Sequence, residues 1–354
     1  MWIVNTRTLS PGKKILSSRL VDSLLGPHGV DRYLELIAPT LTIADPRALV
    51  TRVHRQTDRS VTLTVKPNTA FKGFKAGQFV RVGVEINGVR KIRTFSPASR
   101  PDRDQLELTI TLRDSGLVSN HLRANAKPGM LLHLSEASGD FTLPAECPEH
   151  VVLISGGSGI TPVLSMLRTL LHNGHSGPID FIHYARTGAD HLYRYEVEML
   201  ARKHPNLSVH YLATREGDPH LGAGQFTHVS ASAHVAVCGP PELLAAAKEL
   251  WPHAVAETFT APTLQVSGAQ ATGTLRFLSS GLTAEIASGS LLEQAEAAGL
   301  TPEYGCRMGI CQTCTCRKQA GAVKNLLTGE ISDEEDEDIQ LCVSVPAGDV
   351  ALEL

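Results

Sequence analysis

The chain has 354 residues, of which 42% are hydrophobic and 19% charged, and its net charge is −3. This balance belongs to globular chains. It excludes a transmembrane helix, since no run approaches ~18 uninterrupted apolar residues, and it gives no basic footprint for nucleic acid.

Residues 1–46 hold two apolar-periodic pieces, ILSSRLVDSLL and VDRYLELIAPTL, predicted as short helices broken at Gly26–Pro27. They either cap the body or touch a partner. The first residues, MWIVNTRTLSPGKK, lack a basic start followed by a long apolar run, so a cytoplasmic location is expected. Clustered cysteines there point to metal or redox work rather than disulfides.

Over residues 47–147 the pattern has period two. RSVTLTV, GQFVRVGVEI, GVRKIRTFS, QLELTITL and MLLHLSE are short β-rich segments, with a hairpin signal at Asn87–Gly88. A small antiparallel barrel or sandwich is predicted. Over residues 148–262 strands alternate with helices: HVVLIS, then GGSGITP and VLSMLRTLL, then IDFIHYA, YRYEVEMLARK, LSVHYLA, HVAVCGPPE and ELLAAAKEL. That alternation predicts an open parallel α/β sheet. The last piece, 263–354, opens on a hairpin-like GTLRFLSSGLTAEI. A helix, SLLEQAEAAGL, follows, with Ser290 or Ser288 as cap and Gly299 at its end.

That last piece also concentrates charge. It holds 13 acids against 5 Lys/Arg, a balance of −8, so the other 262 residues carry +5. The run Glu330–Asp338 (EISDEEDED) is either a solvated face or a steering surface for a basic partner.

Four of the seven cysteines stand in YGCRMGICQTCTC. Cys306, Cys311 and Cys314 form C-x4-C-x2-C, and Cys342 follows 28 positions later. This is the plant-type [2Fe–2S] spacing. Such a loop needs small residues where backbone amides approach sulfur, and Gly305 and Gly309 stand there. A four-cysteine zinc site and a C-x2-C redox pair fit the spacing less well. Cys316 and Cys147 are read as spectators. The fifteen histidines show no metal-like clustering in the sequence.

Residues 263–354 resemble a plant-type ferredoxin, with YGCRMGIC as its cluster loop. Residues 47–262 resemble the ferredoxin–NADP reductase family, through Arg93-Thr94-Phe95-Ser96, Gly116–Leu122 (GLVSNHL), Ser155–Pro162 (SGGSGITP), Cys238-Gly239-Pro240 and Glu257-Thr258-Phe259. The resemblance implies a multidomain fold: an antiparallel β-barrel flavin domain, an α/β parallel-sheet nucleotide domain and an α+β β-grasp ferredoxin domain. It implies that Arg93 pairs with flavin phosphate, Phe95 lies along the isoalloxazine and Ser96 approaches its N5. Phe95 departs from the family's Tyr and lacks that hydroxyl. Gly116, Leu117, Val118 and Ser119 (at a helix start) would cradle a pyrophosphate, which favours FAD. Gly156, Gly157, Gly159 and Thr161 would hold the nicotinamide dinucleotide. Cys238, Gly239 and Pro240 would lie beside the nicotinamide, with Phe259 on the flavin face it enters.

Arg186 and Arg215 follow two strands that offer no Asp or Glu for a ribose diol, so NADPH is expected, with NADH as the other donor. The four cluster cysteines would be the metal ligands. The expected activity is a relay from NAD(P)H through FAD and the cluster to a partner. The resemblance and the 46-residue extension point to a membrane di-iron fatty-acyl desaturase or hydroxylase, which would make the protein membrane-associated through that partner. The reductase component of a ring-hydroxylating or phenylacetyl-type oxygenase or P450 is the alternative. A redox sensor or zinc-holding interaction module is the reading from another class.

Overall fold

The computed structural model describes residues 29–86, 88–112, 116–146, 148–259, 272–305, 307, 309 and 312–354. The first predicted helix, ILSSRLVDSLL, and Cys147 lie outside them, as do Cys306 and Cys311. The chain divides into two compact units, Met1–Phe259 and Thr260–Leu354.

The first unit opens on α1 (Gly29–Ile37), the second helix expected in the extension. It is tied to the body by charge. Asp31 accepts the backbone N–H groups of Ile43, Ala44 and Asp45, and Arg47 pairs with Glu35 and donates to Pro39 O. The period-two segments then form β1 (Arg47–Thr57), β2 (Ser60–Pro67), β3 (Val80–Ile86), β4 (Val89–Phe95), β5 (Leu106–Thr111) and β6 (Leu131–Leu134). They make one antiparallel sheet in the order β4-β3-β6-β1-β2-β5. Ile86 pairs with Val89, as the Asn-Gly signal requires, and Gly88 sits at φ 74°. Alternate residues such as Val80, Val82 and Val84 fill the interior, and α2 (Leu117–Asn125) adds Val118 and Leu122 to it.

The continuous apolar runs become a parallel sheet because both faces are covered. Its strands are β7 (Val151–Gly156), β8 (Ile179–Ala185), β9 (Leu207–Ala213), β10 (His234–Cys238) and β11 (Val255–Glu257), in the order β11-β10-β7-β8-β9. Helices α3 (Ile160–His172) and α4 (Arg194–Lys203) pack on one face, and α5 (Pro241–Leu250) on the other. The strand order reverses between β7 and β10, so the crevice at their carboxyl ends is where a ligand binds in such sheets.

The second unit holds a mixed sheet, β13-β12-β19-β14-β17, and a small one, β16-β15-β18. The predicted hairpin is β12 (Thr274–Phe277) with β13 (Leu282–Glu285). The other strands are β14 (Thr315–Ala320), β15 (Val323–Asn325), β16 (Ile331–Ser332), β17 (Glu337–Gln340), β18 (Ser344–Pro346) and β19 (Val350–Leu352). Helix α6 (Leu291–Ala297) starts at Ser290, not Ser288. Ser290 and Glu293 form a capping box, and Gly299 ends the segment at φ 89°.

Candidate functional site

The end of β4 carries Arg93, Thr94 and Phe95, paired with Val82, Arg81 and Val80. Beyond it the chain crosses to β5, where Ala98 N–H donates to Glu107 O at 2.8 Å. Ser96 is buried, and among the described residues its hydroxyl has no hydrogen-bond partner; the Thr94 hydroxyl is likewise buried and unpartnered among them. Buried polar groups are ordinarily satisfied, so two orphans side by side mark a place for a polar ligand. Phe95 is half-buried against the barrel interior. Helix α2 touches the same sheet. Its N-cap is Gly116, which has no side chain to bond the first turn. The Ser119 hydroxyl donates back to Gly116 O at 3.1 Å. Ser119 therefore sits inside the first turn rather than at the helix start, and the backbone N–H groups of that turn suit an anion.

The reversal between β7 and β10 gathers the second set. A Cβ on Gly156 would meet Pro240 Cδ at 2.7 Å, and one on Gly239 would meet Gly156 N at 3.1 Å. A Cβ on Gly159 would lie 2.2 Å from Cys238 O. The Gly-rich turn and Cys238–Pro240 thus touch backbone to backbone. Gly157 has φ 54°, and its Cβ position faces open space. Thr161 is buried, its hydroxyl directed to Ser158 O at 3.3 Å. No side chain caps the N-terminus of α3, so this turn suits a phosphate.

Strand register aligns Glu257, Cys238, Ser155, His183 and Tyr211 across all five strands. Burial and the neighbouring Glu257 push the Cys238 thiol well above its ordinary range, so it stays protonated. Burial pushes His183 down to about 3, and the neutral ring lies 2.8 Å from the Ser155 hydroxyl. Phe259 packs against the same core that holds Cys238 and Ala98.

Glu257 is a candidate that sequence reasoning passed over in favour of Phe259. Burial raises its carboxyl to about 8, and its Oε2 has no partner among the described residues. The signal was its register beside Cys238, which only the sheet order reveals. The sign of its pH effect follows from the raised value. The folded chain holds a proton that the unfolded chain releases above the ordinary 4.5. Stability from this group is therefore complete below 4.5 and is lost as pH rises towards about 8. Glu257→Gln is expected to flatten that decline in thermal melts across the same window. A decline as steep as in the wild type would assign it to other groups.

Arg186 and Arg215 are both exposed, and Arg215 N–H donates to Arg186 O at 2.9 Å, so the two strand ends lie together. The expectation of no carboxylate there needs correction. Glu216 reaches between the strand ends and accepts Gly188 N–H at 3.1 Å, an engagement that ties up one of its oxygens.

In the second unit, Cys314 and Cys342 are buried. Gly309 N–H points at Cys342 Sγ (3.3 Å), and Cys342 N–H at Cys314 Sγ (3.4 Å). Gly309 has φ 73°, and a Cβ there would meet Leu327 Cδ1 at 2.7 Å. Soft sulfur donors with amides aimed at them fit an iron–sulfur cluster. Cys316 packs in the core, and burial pushes its thiol up to about 11, which fits a spectator.

His150 and His228 both bond the buried Asp180, at 2.7 and 2.9 Å, although among the described residues no three such side chains are arranged to hold a metal. No described helix is long and apolar enough to cross a membrane.

A strand end with two buried hydroxyls, a glycine-lined crevice at a sheet reversal and a sulfur-lined loop are the candidate sites that the fold presents. Residues 50–143 match the oxidoreductase FAD-binding domain, 153–249 the oxidoreductase NAD-binding domain and 277–347 the 2Fe-2S iron-sulfur cluster binding domain. The chain is 33% identical to an NADPH oxidoreductase of Mycobacterium tuberculosis over 338 residues, which is 92% of this chain and 88% of that protein. It is 29% identical to the glycine betaine monooxygenase reductase subunit of Pseudomonas aeruginosa, covering 79% of this chain and 87% of the relative. Among solved structures, phthalate dioxygenase reductase has the same fold, with TM-score 0.61 and 22% identity over 87% of this chain and 97% of that one.

The chain belongs to the ferredoxin–NADP reductase superfamily of flavoproteins, in the group with a C-terminal plant-type [2Fe–2S] domain. It is an NAD(P)H-dependent oxidoreductase whose cofactors are FAD, the nicotinamide dinucleotide and a [2Fe–2S] cluster.

Proposed function

We propose that the chain is the reductase component of an oxygenase system, drawing electrons from NADPH and handing them singly to an oxygenase partner. The observation that carries this reading is the joining, in one chain, of a nicotinamide crevice and flavin strand to a one-electron carrier fold. The Pseudomonas relative named as a monooxygenase reductase subunit supports it. The modules would span 47–147, 148–262 and 263–354, after an extension over 1–46.

When bound, FAD takes a hydride as two electrons together, and the cluster carries electrons one at a time. The chain's residues do the rest. Arg93 would hold flavin phosphate, and Phe95 would lie along the isoalloxazine ring. The orphaned Ser96 and Thr94 hydroxyls would bond the flavin. The N-terminus of α2 at Gly116–Ser119 would take the FAD pyrophosphate, and Gly156, Gly157, Gly159 and Thr161 that of the nucleotide. Cys238, Gly239, Pro240 and Phe259 would shape the nicotinamide pocket. The protonated Cys238 thiol would supply a neutral, soft contact rather than a charge. Glu257 would hold a proton beside it. Cys306, Cys311, Cys314 and Cys342 would ligate the cluster.

Arg186 and Arg215 would pair with a 2′-phosphate, and the name of the mycobacterial relative supports NADPH. Hydrogen bonds to charged groups are worth about 1.5–3 kcal/mol. The double variant Arg186→Ser, Arg215→Ser is therefore expected to raise KM for NADPH roughly tenfold or more while sparing NADH. An equal effect on both nucleotides would remove the arginines from the 2′ site.

A membrane acyl desaturase is the second reading. The observation favouring it is the extension, where Leu36 (79% exposed) and Ile37 (77%) form an apolar end on α1. Both readings are tested together. NADPH-driven reduction of cytochrome c by the chain alone, without conversion of any organic substrate, is expected. Substrate oxidation should then appear only when a soluble oxygenase component is added. Appearance only with a membrane desaturase would select the second reading, and product from the chain alone would overturn both.

A further inference from the structure

We propose that Arg168 is a positioning residue for hydride transfer, holding the strand end that carries Ser96 at a fixed distance from the nucleotide turn. The inference rests on the flavin and nucleotide assignments above. Its origin is a side chain outside both motifs.

Arg168 lies on α3, the helix that the Gly-rich turn opens, eight residues after its start at Ile160. Its side chain is only 13% exposed. Every arm of the guanidinium is used. Nε and Nη2 donate to the Glu196 carboxylate of α4 at 2.8 and 2.6 Å. Nη1 donates to Ala98 O at 2.7 Å and to Glu107 Oε2 at 2.6 Å. Glu196 belongs to the parallel-sheet module, whereas Ala98 and Glu107 belong to the antiparallel one. One side chain thus bridges the two modules within the first unit.

The bridge lands close to the flavin motif. Ala98 is two residues beyond Ser96, and Pro97 between them has its φ fixed by its ring. A second contact from the same helix reinforces it: the Ser165 hydroxyl, one turn earlier, donates to Ser99 O at 2.6 Å. A third comes from Tyr193, whose ring lies under the Arg168 guanidinium at 5.4 Å. Its hydroxyl reaches Thr109 (2.5 Å) and Thr62 (3.2 Å) on the antiparallel sheet. Tyr193 holds φ 57°, an uncommon conformation for a residue with a Cβ, retained where the surrounding contacts demand it.

Helix α3 therefore has the nucleotide turn at its N-terminus and the flavin strand end fastened to its flank. A rigid helix converts these two attachments into one distance. Transfer of a hydride needs the reacting atoms within a few tenths of an ångström of a near-attack geometry. A lysine cannot reproduce the planar fork that serves two carboxylates and a carbonyl at once, though it can hold one of them.

The test uses anaerobic stopped-flow reduction of the FAD-loaded full chain by NADPH, for the wild type, Arg168→Met, Arg168→Lys and Glu107→Gln. Arg168→Met is expected to retain FAD and nucleotide affinity but to slow flavin reduction about 10- to 100-fold at saturating NADPH. The nicotinamide–flavin charge-transfer absorbance should weaken with it, and Arg168→Lys should recover part of both. Hydrogen exchange at the Ala98 amide, now bonded to Glu107 O, should quicken in Arg168→Met even without nucleotide. Wild-type reduction rates and charge-transfer absorbance in Arg168→Met would overturn the proposal. If that variant loses FAD or does not fold, Glu107→Gln alone decides by the same two readouts. Failure of the wild type itself to bleach with NADPH would refute the flavin and nucleotide assignments, and the proposal with them.

Discussion

Cys342→Ser is expected to abolish the rhombic [2Fe–2S] signal and to drop NADPH-driven cytochrome c reduction to background, while NADPH still bleaches the flavin. Three features of the site lead there. Cys342 is 3% exposed, between the core residues Leu341 and Val343, so a serine hydroxyl would enter an apolar setting. Its sulfur receives the Gly309 amide, and its own amide points to Cys314 Sγ, so it stands at both ends of the donor network around the sulfurs. Oxygen is also a harder donor than the thiolate that such clusters select. The flavin and nucleotide residues belong to the other compact unit, so their reaction is expected to survive. The control is Cys316→Ala, two positions beyond Cys314, which should keep the cluster. Electron paramagnetic resonance of the reduced proteins decides. A normal signal from Cys342→Ser, or a lost one from Cys316→Ala, would redraw the ligand set.

Most of the architecture was legible because each module writes its own periodicity. Alternation over residues 47–147 is the trace of a sheet with one buried face, and the runs VVLIS and IDFIHYA are the trace of a sheet buried on both. The cysteine spacing was legible because a cluster restricts how far apart its ligands stand in a short loop. What escaped was everything fixed by pairing between distant strands. The place of Glu257 beside Cys238 is set by the parallel register and by nothing near it in sequence.

The histidines at 150 and 228 carry no local pattern, and only the strand β8 that presents Asp180 brings them together. Lys318 stands close to the acidic run Glu330–Asp338. It is buried, donating to the carbonyls of Gly321, Ser332 and Glu334 and pairing with Glu337, so the acidic run is anchored from within. Composition could not show that, because a buried charge depends on partners that are distant in sequence. Arg168 escaped for the same reason: nothing near it in sequence predicts a bridge to Ala98 and Glu107.

Gly159→Ala is expected to disable the nucleotide site outright, and the cause separates it from its neighbour Gly157. The added methyl at position 159 would sit 2.2 Å from Cys238 O, 2.6 Å from Cys238 C and 3.0 Å from Gly239 N. These are backbone atoms at the end of β10 and cannot rotate away as a side chain would. Relief requires α3 to lift from β10, which opens the crevice at the strand reversal and moves Cys238 relative to the turn. Overpacking of this kind costs about 1–3 kcal/mol. Loss of the close approach should also eliminate NADPH-dependent flavin bleaching, with FAD retained on the other sheet.

At Gly157 the Cβ would meet nothing, but φ is 54°, where a residue other than glycine costs roughly 1–2 kcal/mol. Gly157→Ala should therefore lower the melting temperature modestly and weaken nucleotide binding without abolishing it. Thermal melts and anaerobic NADPH titrations of the two variants give the comparison. If Gly159→Ala binds and oxidises NADPH as Gly157→Ala does, the contact between the turn and Cys238 is not what shapes the nicotinamide site, and the role given to Cys238 falls with it.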